Sequence, residues 1–102
     1  MRVIIKEPND DARIEEIEVT LEELQQIVGG YIEIIPFTFD SIIICNEEGR
    51  LRNLPFNFQM PVHGGIVGTA IICDDNEDGK FVDVSMSIEQ FNKILEKWGN
   101  VV

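Results

Sequence analysis

The chain has 102 residues, with 19 acidic and 8 basic side chains and a formal net charge of −11. Hydrophobic residues make up 44% and charged residues 26%, the profile of one globular domain (residues 1–102) rather than a disordered tail. The charge excludes an unaided nucleic-acid binder, which needs clustered Lys and Arg, and disfavours adhesion to anionic membranes.

Arg2 to Glu7 is rich in β-branched residues and reads as a first strand. Pro8-Asn9-Asp10-Asp11 is a turn cluster, and Arg13 to Val19 reads as a strand returning along the first. Thr20-Leu21-Glu22-Glu23 is a capping box, in which the Thr20 hydroxyl accepts from the Glu23 amide. Leu21, Leu24, Ile27 and Val28 follow at helical spacing, and Gly29-Gly30 stops the helix. Tyr31 to Phe39 and Ser41 to Cys45 read as strands, with Pro36 marking a break or an edge position in the first. Asn46 to Gly49 is a turn, and Arg50 to Arg52 begins a further short strand. Asn53 to Gly65 has little periodicity and reads as a long loop. Ile66 to Cys73 is an apolar strand, Asp74 to Lys80 a turn, and Phe81 to Ser85 a returning strand. Ser87-Ile88-Glu89-Gln90 is a second capping box, with Ile88, Phe91, Ile94, Leu95 and Trp98 forming one apolar face. The two helical segments superpose without a gap, which shared capping chemistry explains as well as a duplication does. The expected fold is α+β: a single domain with a mainly antiparallel sheet of about six strands and two capped helices on one face.

The charge is patterned. Acidic blocks lie before residue 31 and around Asp74 to Asp78, and no charged residue occurs from Asn53 to Cys73 if His63 is neutral. The prolines, amides and His63 in that stretch rule it out as a spanning helix. Arg2, Lys6 and Glu7 interrupt any hydrophobic signal core, so a cytoplasmic protein is expected. Cys45 and Cys73 then read as reduced, buried hydrophobes, with a disulfide open only if their strands are neighbours.

Four features invite chemistry. Asp74, Asn76, Asp78 and Gly79 resemble the opening of a calcium loop, but Ser85 stands where the bidentate Glu belongs and strands flank the segment. A solvated hairpin turn is the better reading, and no metal is expected. His63-Gly64-Gly65-Ile66-Val67-Gly68 exposes backbone amides, but lacks a Walker lysine and enters a strand rather than a helix. His63 has no nucleophile motif beside it, and neither a zinc cluster nor an activated thiol is present, so neither enzyme activity nor a cofactor is expected. Arg50, Arg52, Asn53, Phe56, Asn57 and His63 form the third feature, a ligand-binding candidate for a nucleotide-like small molecule. A loop that tucks its aromatics into the core is the alternative. The fourth is the acidic surface, with Asp74, Asp75, Glu77, Asp78, Glu15 and Glu16 as candidates for docking a host protein with a basic surface. Solubility alone is its bland counterpart.

The order Val28-Gly29-Gly30-Tyr31-Ile32-Glu33, then Asn46-Glu47-Glu48-Gly49-Arg50-Leu51 with Leu54-Pro55-Phe56-Asn57, then Ile66-Val67-Gly68-Thr69, resembles a small domain-of-unknown-function family. Its members occur in bacteriophages, plasmids and conjugative elements of Gram-positive bacteria. The likeness spans about residues 20–95, brings no catalytic residues, and implies a mobile-element origin and an accessory role. The expectation is a non-enzymatic accessory or anti-defence protein that binds a host protein such as a nuclease. The alternative is a module that sequesters a nucleotide-like signal at the Arg50–His63 segment. Exposed strand edges also offer pairing across a homodimer.

Overall fold

β-branched runs separated by polar turns give strands, and the two capped apolar stripes give helices. The structure, a computed structural model describing residues 1–102, contains β1 (Arg2–Lys6), β2 (Arg13–Glu16), α1 (Leu21–Val28), β3 (Ile32–Pro36) and β4 (Ser41–Asn46). There follow β5 (Phe56–Met60), β6 (Gly64–Val67), β7 (Ala70–Asp75), β8 (Phe81–Val82) and α2 (Ile88–Lys97). The main sheet is antiparallel in the order β2-β1-β7-β4-β3, with β8 pairing the far end of β7, and β5-β6 is a separate hairpin.

Both helices start where the sequence predicts, but only the cap of α2 is reciprocal; at Thr20 the return bond from the Glu23 carboxylate is not made. Thr20 Oγ1 accepts from the Glu23 amide at 3.1 Å, and Ser87 and Gln90 form the complete reciprocal box. Gly29 ends α1 at φ 82°, a left-handed conformation that a glycine adopts without steric cost.

The fold is α+β as expected, but the helices cover opposite faces of the sheet. Side chains alternate along a strand, so neighbouring residues of β4 and β7 feed two different cores. Ile43, Cys45 and Ile72 face α2 and the β5-β6 hairpin, packing with Phe58, Phe91 and Leu95. Ile42, Ile44, Ile71 and Cys73 face α1, packing with Leu24 and Val28. A strand covered on both sides is apolar throughout, which is why Ile42–Cys45 and Ile71–Cys73 do not alternate. Phe91 anchors the α2 side, with Phe37 at 5.6 Å and Phe58 at 6.0 Å between ring centroids.

Other boundaries differ from the sequence reading. Asn53–Gly65 is not a loop: it supplies β5 and the start of β6, whose Phe58 and Met60 enter the core. Arg50–Arg52 lies in a turn rather than a strand. The apolar run Ile66–Cys73 breaks at Gly68, where φ is +74° and the Leu54 side chain lies 2.8 Å from where a Cβ would sit. Cys45 and Cys73 belong to opposite cores, so the sheet itself separates the two thiols.

Candidate functional site

The segment from Arg50 to His63 does not converge on one site. Arg50 and His63 line a cleft of about 590 Å³ between the β4–β5 turn and the β5-β6 hairpin. The Arg50 guanidinium donates to the Gly65 carbonyl at 2.7 Å. The other four candidates serve the scaffold or point elsewhere. Arg52 donates to the Gly29 carbonyl at 2.9 Å, closing the end of α1. Asn53 adopts a left-handed turn conformation at φ 54°. The Phe56 ring packs on Gly65, where an added Cβ would lie 3.0 Å from the ring. Asn57 donates to the carbonyls of Lys6 at 2.7 Å and Gly68 at 2.8 Å, a structural role.

The rest of the cleft is acidic. Glu33, Glu47 and Glu48 line it beside Tyr31. Buried Asn46 shapes the turn that carries two of them, donating to the Val28 carbonyl at 3.1 Å and accepting from the Glu48 amide at 2.8 Å. Sequence spacing does not single out Tyr31 or the three glutamates, because they come from two strand ends that only the fold brings together. Glu33 also helps raise the Cys45 thiol to about 11, after burial, the larger cause. Cys73 is pushed up to about 12, mainly by burial and then by Asp74 and Asp75. Both thiols are therefore protonated and inert at neutral pH.

A second depression adjoins the first on the same sheet face. Ile35, Pro36, Phe37, Met60, Val62 and Trp98 line an apolar groove of about 570 Å³, and His63 borders both hollows. Together they flank β3, the last strand of the sheet.

Part of the first acidic block meets the second at one end of the sheet, while Glu7, Asp10 and Asp11 follow the opposite end of β1. Glu16 pairs with Arg2, whose amide donates to Asp83 Oδ1 at 2.9 Å and whose carbonyl accepts from the Val84 amide at 2.9 Å. β2 is thus tied through β1 to the β7–β8 hairpin, which exposes Asp75, Glu77 and Asp78. The Asp75 amide donates to the Asp40 carbonyl at 3.2 Å, adding the β3–β4 turn and Phe39, which is 100% exposed. Glu16 lies at this end, whereas the Glu15 carboxylate accepts from the Arg13 guanidinium at 2.6 Å and is neutralised there. Asp74 is a correction: it is only 7% exposed, faces inward, and one carboxylate oxygen, Oδ1, has no hydrogen-bond partner, so it is not a docking residue. Arg2, Lys80 and the N-terminal amine, 3.2 Å from Glu16, offset part of the charge. The calcium-like loop is a hairpin turn, its Asn76 Oδ1 accepting from the Asp78 and Lys80 amides at 3.0 Å each.

These features define a small α+β domain whose doubly covered sheet carries an acidic end and a two-part cleft along one edge. No helix is long and apolar enough to cross a membrane. The chain belongs to the family described as Domain of unknown function (DUF3846), which matches residues 1–99. No curated protein and no solved structure matches it.

Proposed function

We propose that this protein is a non-enzymatic accessory protein of a bacteriophage or other mobile element. In this reading it acts in the bacterial cytoplasm, docking a basic host protein, such as a nuclease of a defence system, through the acidic end of its sheet. The supporting observation is the strand tie that brings Glu16 to the same end of the sheet as Asp75, Glu77 and Asp78; Glu15, paired with Arg13, contributes less. Separate in sequence, these carboxylates share one end, with exposed Phe39 beside Asp40 as an apolar anchor. Carboxylates around an exposed aromatic suit a basic surface, because charge steers the encounter and the ring supplies buried area. The mobile-element setting rests on the resemblance of the motif order alone.

A nucleotide-like anion at Arg50 and His63 has less support. Those two side chains do share a cleft, but Glu33, Glu47 and Glu48 line it too and repel phosphate.

The test is capture of basic host proteins by the wild-type chain and by a variant carrying Glu16→Gln, Asp75→Asn, Glu77→Gln and Asp78→Asn. Wild-type capture should weaken as salt screens the charges, and the variant should lose about tenfold or more in affinity. A partner that binds both chains alike, at low and high salt, would falsify the reading.

A further inference from the structure

β3 has a neighbour on one side only. In an antiparallel ladder, successive residues turn their N–H and C=O alternately toward the partner strand and away from it. The Glu47 amide donates to the Tyr31 carbonyl at 2.8 Å, and the Phe37 amide donates to the Ser41 carbonyl at 3.0 Å. The odd-numbered residues of β3 therefore face β4, and Ile32 and Ile34 turn their backbone groups outward. Pro36, with no N–H to offer, closes this edge at one end. Unpaired strand edges are templates for another strand, and native proteins usually block them. Here the block is incomplete, and Ile34 beside the opening is 50% exposed.

What flanks the edge gives the incoming strand a chemistry. On the α2 face, Glu33 opens into the cleft with Glu47 and Glu48, and Ile35 and Phe37 open into the apolar groove. Glu33 and Phe37 stand roughly 13 Å apart, at about 3.3 Å per residue of strand. A strand laid along β3 sends alternate side chains toward these hollows, so a basic and an apolar side chain on that face fit them in turn. Its other face meets Ile32 and Ile34 and is apolar.

We propose that β3 is a receptor edge, to which a partner protein adds an extended segment carrying a basic side chain for the Glu33 cleft and an apolar one for the Phe37–Trp98 groove. A second copy of this chain does not fit: it brings a charge of −11 and offers its own Glu33 edge to Glu33. This surface is separate from the acidic end, and the two fail independently.

The probe is a fluorescein-labelled octapeptide with valine at every second position and arginine and leucine sharing the others. A matched peptide carries glutamate in place of arginine. Fluorescence anisotropy should show saturable binding of the arginine peptide, weaker by about tenfold or more for the glutamate peptide and for Glu33→Lys. Amide exchange at Ile32 and Ile34 should slow when the arginine peptide is bound. Ile34→Pro removes an outward N–H while leaving the bonds to β4, and should abolish binding; should that variant not fold, the exchange rates of the wild-type chain decide. Neutralising Asp75, Glu77 and Asp78 should leave the peptide affinity unchanged, which separates this proposal from the docking of a basic partner at the acidic end. Equal binding of the two peptides, no binding, or continued fast exchange at Ile32 and Ile34 would overturn it. So would a dimer that protects those amides without peptide, because a second copy would then hold the edge.

Discussion

Lys6 and Asn57 clasp one another in both directions. The Lys6 ammonium donates to Asn57 Oδ1 at 3.1 Å, and Asn57 Nδ2 donates back to the Lys6 carbonyl at 2.7 Å. The same amide reaches the Gly68 carbonyl at 2.8 Å, so one side chain joins β1, β5 and the bend before β7. Lys6 is only 8% exposed, and its remaining acceptor is the Glu7 carbonyl at 2.8 Å. Asn57→Ala removes the side-chain bonds to the Lys6 and Gly68 carbonyls and deprives a buried ammonium of an acceptor. The expected loss is about 2–3 kcal/mol, because stranded buried polar groups keep their full desolvation cost. Urea denaturation of both chains checks it. A loss below about 0.5 kcal/mol, the level of an ordinary surface change, would mean the clasp carries little stability.

The two thiols make stability fall in alkali. Burial raises Cys45 to about 11 and Cys73 to about 12, above the ordinary 9.0. Between those values the unfolded chain releases protons that the folded chain retains. The stabilisation is complete below pH 9 and is lost as pH rises through the folded-state values. Lys6 has the opposite sign: burial lowers its pKa, more than Asp10 and Asp11 raise it, so its contribution grows with pH near 10.5. The double variant Cys45→Ala, Cys73→Ala removes the thiol effect and keeps that of Lys6. Thermal melts from pH 8 to 11 should show the wild type losing stability more steeply than this variant. Parallel curves would mean the thiols are not held as the fold describes.

Thiol chemistry gives a second reading of the same feature. Cys45 and Cys73 lie on opposite faces of the sheet, so no intramolecular disulfide can close in the native state. Both should resist a thiol reagent at pH 7 in the folded chain and react together on denaturation. Fast labelling of either under native conditions would contradict the burial of that core.

Two glycines with similar backbone angles should respond differently to the same change. Gly68 has φ +74° with Leu54 Cδ1 2.8 Å from the added Cβ, whereas Gly79 has φ +75° with nothing within 4 Å. Gly79→Ala should cost about 1 kcal/mol, the usual strain of a left-handed residue. Gly68→Ala adds a collision with a packed side chain and should cost about 2 kcal/mol or more. Equal melting temperatures for the two variants would show that Leu54 yields freely.

Local chemistry was the most legible part of the chain. Thr20, Ser87 and Gly29 fix both helices and one stop through interactions spanning a few residues, and all three act as the sequence indicates. Capping and spacing within a helix do not say which sheet face it covers; the run of four consecutive apolar residues from Ile42 to Cys45, which needs cover on both faces, is the signal that does. The β5-β6 hairpin was hidden because Gly64 and Gly65 carry little strand propensity, and because the pairing of Phe56 with Val67 is irregular up to Phe58. The cleft was half legible. Arg50 and His63 do come together, but Glu33 arrives from β3, and no spacing within the Arg50–His63 segment points to it.

The strand order has a kinetic side. β1-β2, β3-β4, β5-β6 and β7-β8 are each neighbours along the chain, but β7 must slot between β1 and β4, which residues 47–69 and more separate from it. Contacts between distant parts of a chain form slowly, because loop closure comes before its reward. Until β7 arrives, Ile4 and Ile5 on one strand and Ile42 to Ile44 on another are bare, sticky edges. A nascent chain leaving the ribosome holds those edges open while the central seam is still to be made. Mutual repulsion among chains that each carry −11 then keeps half-folded copies apart for the time that the last strand needs.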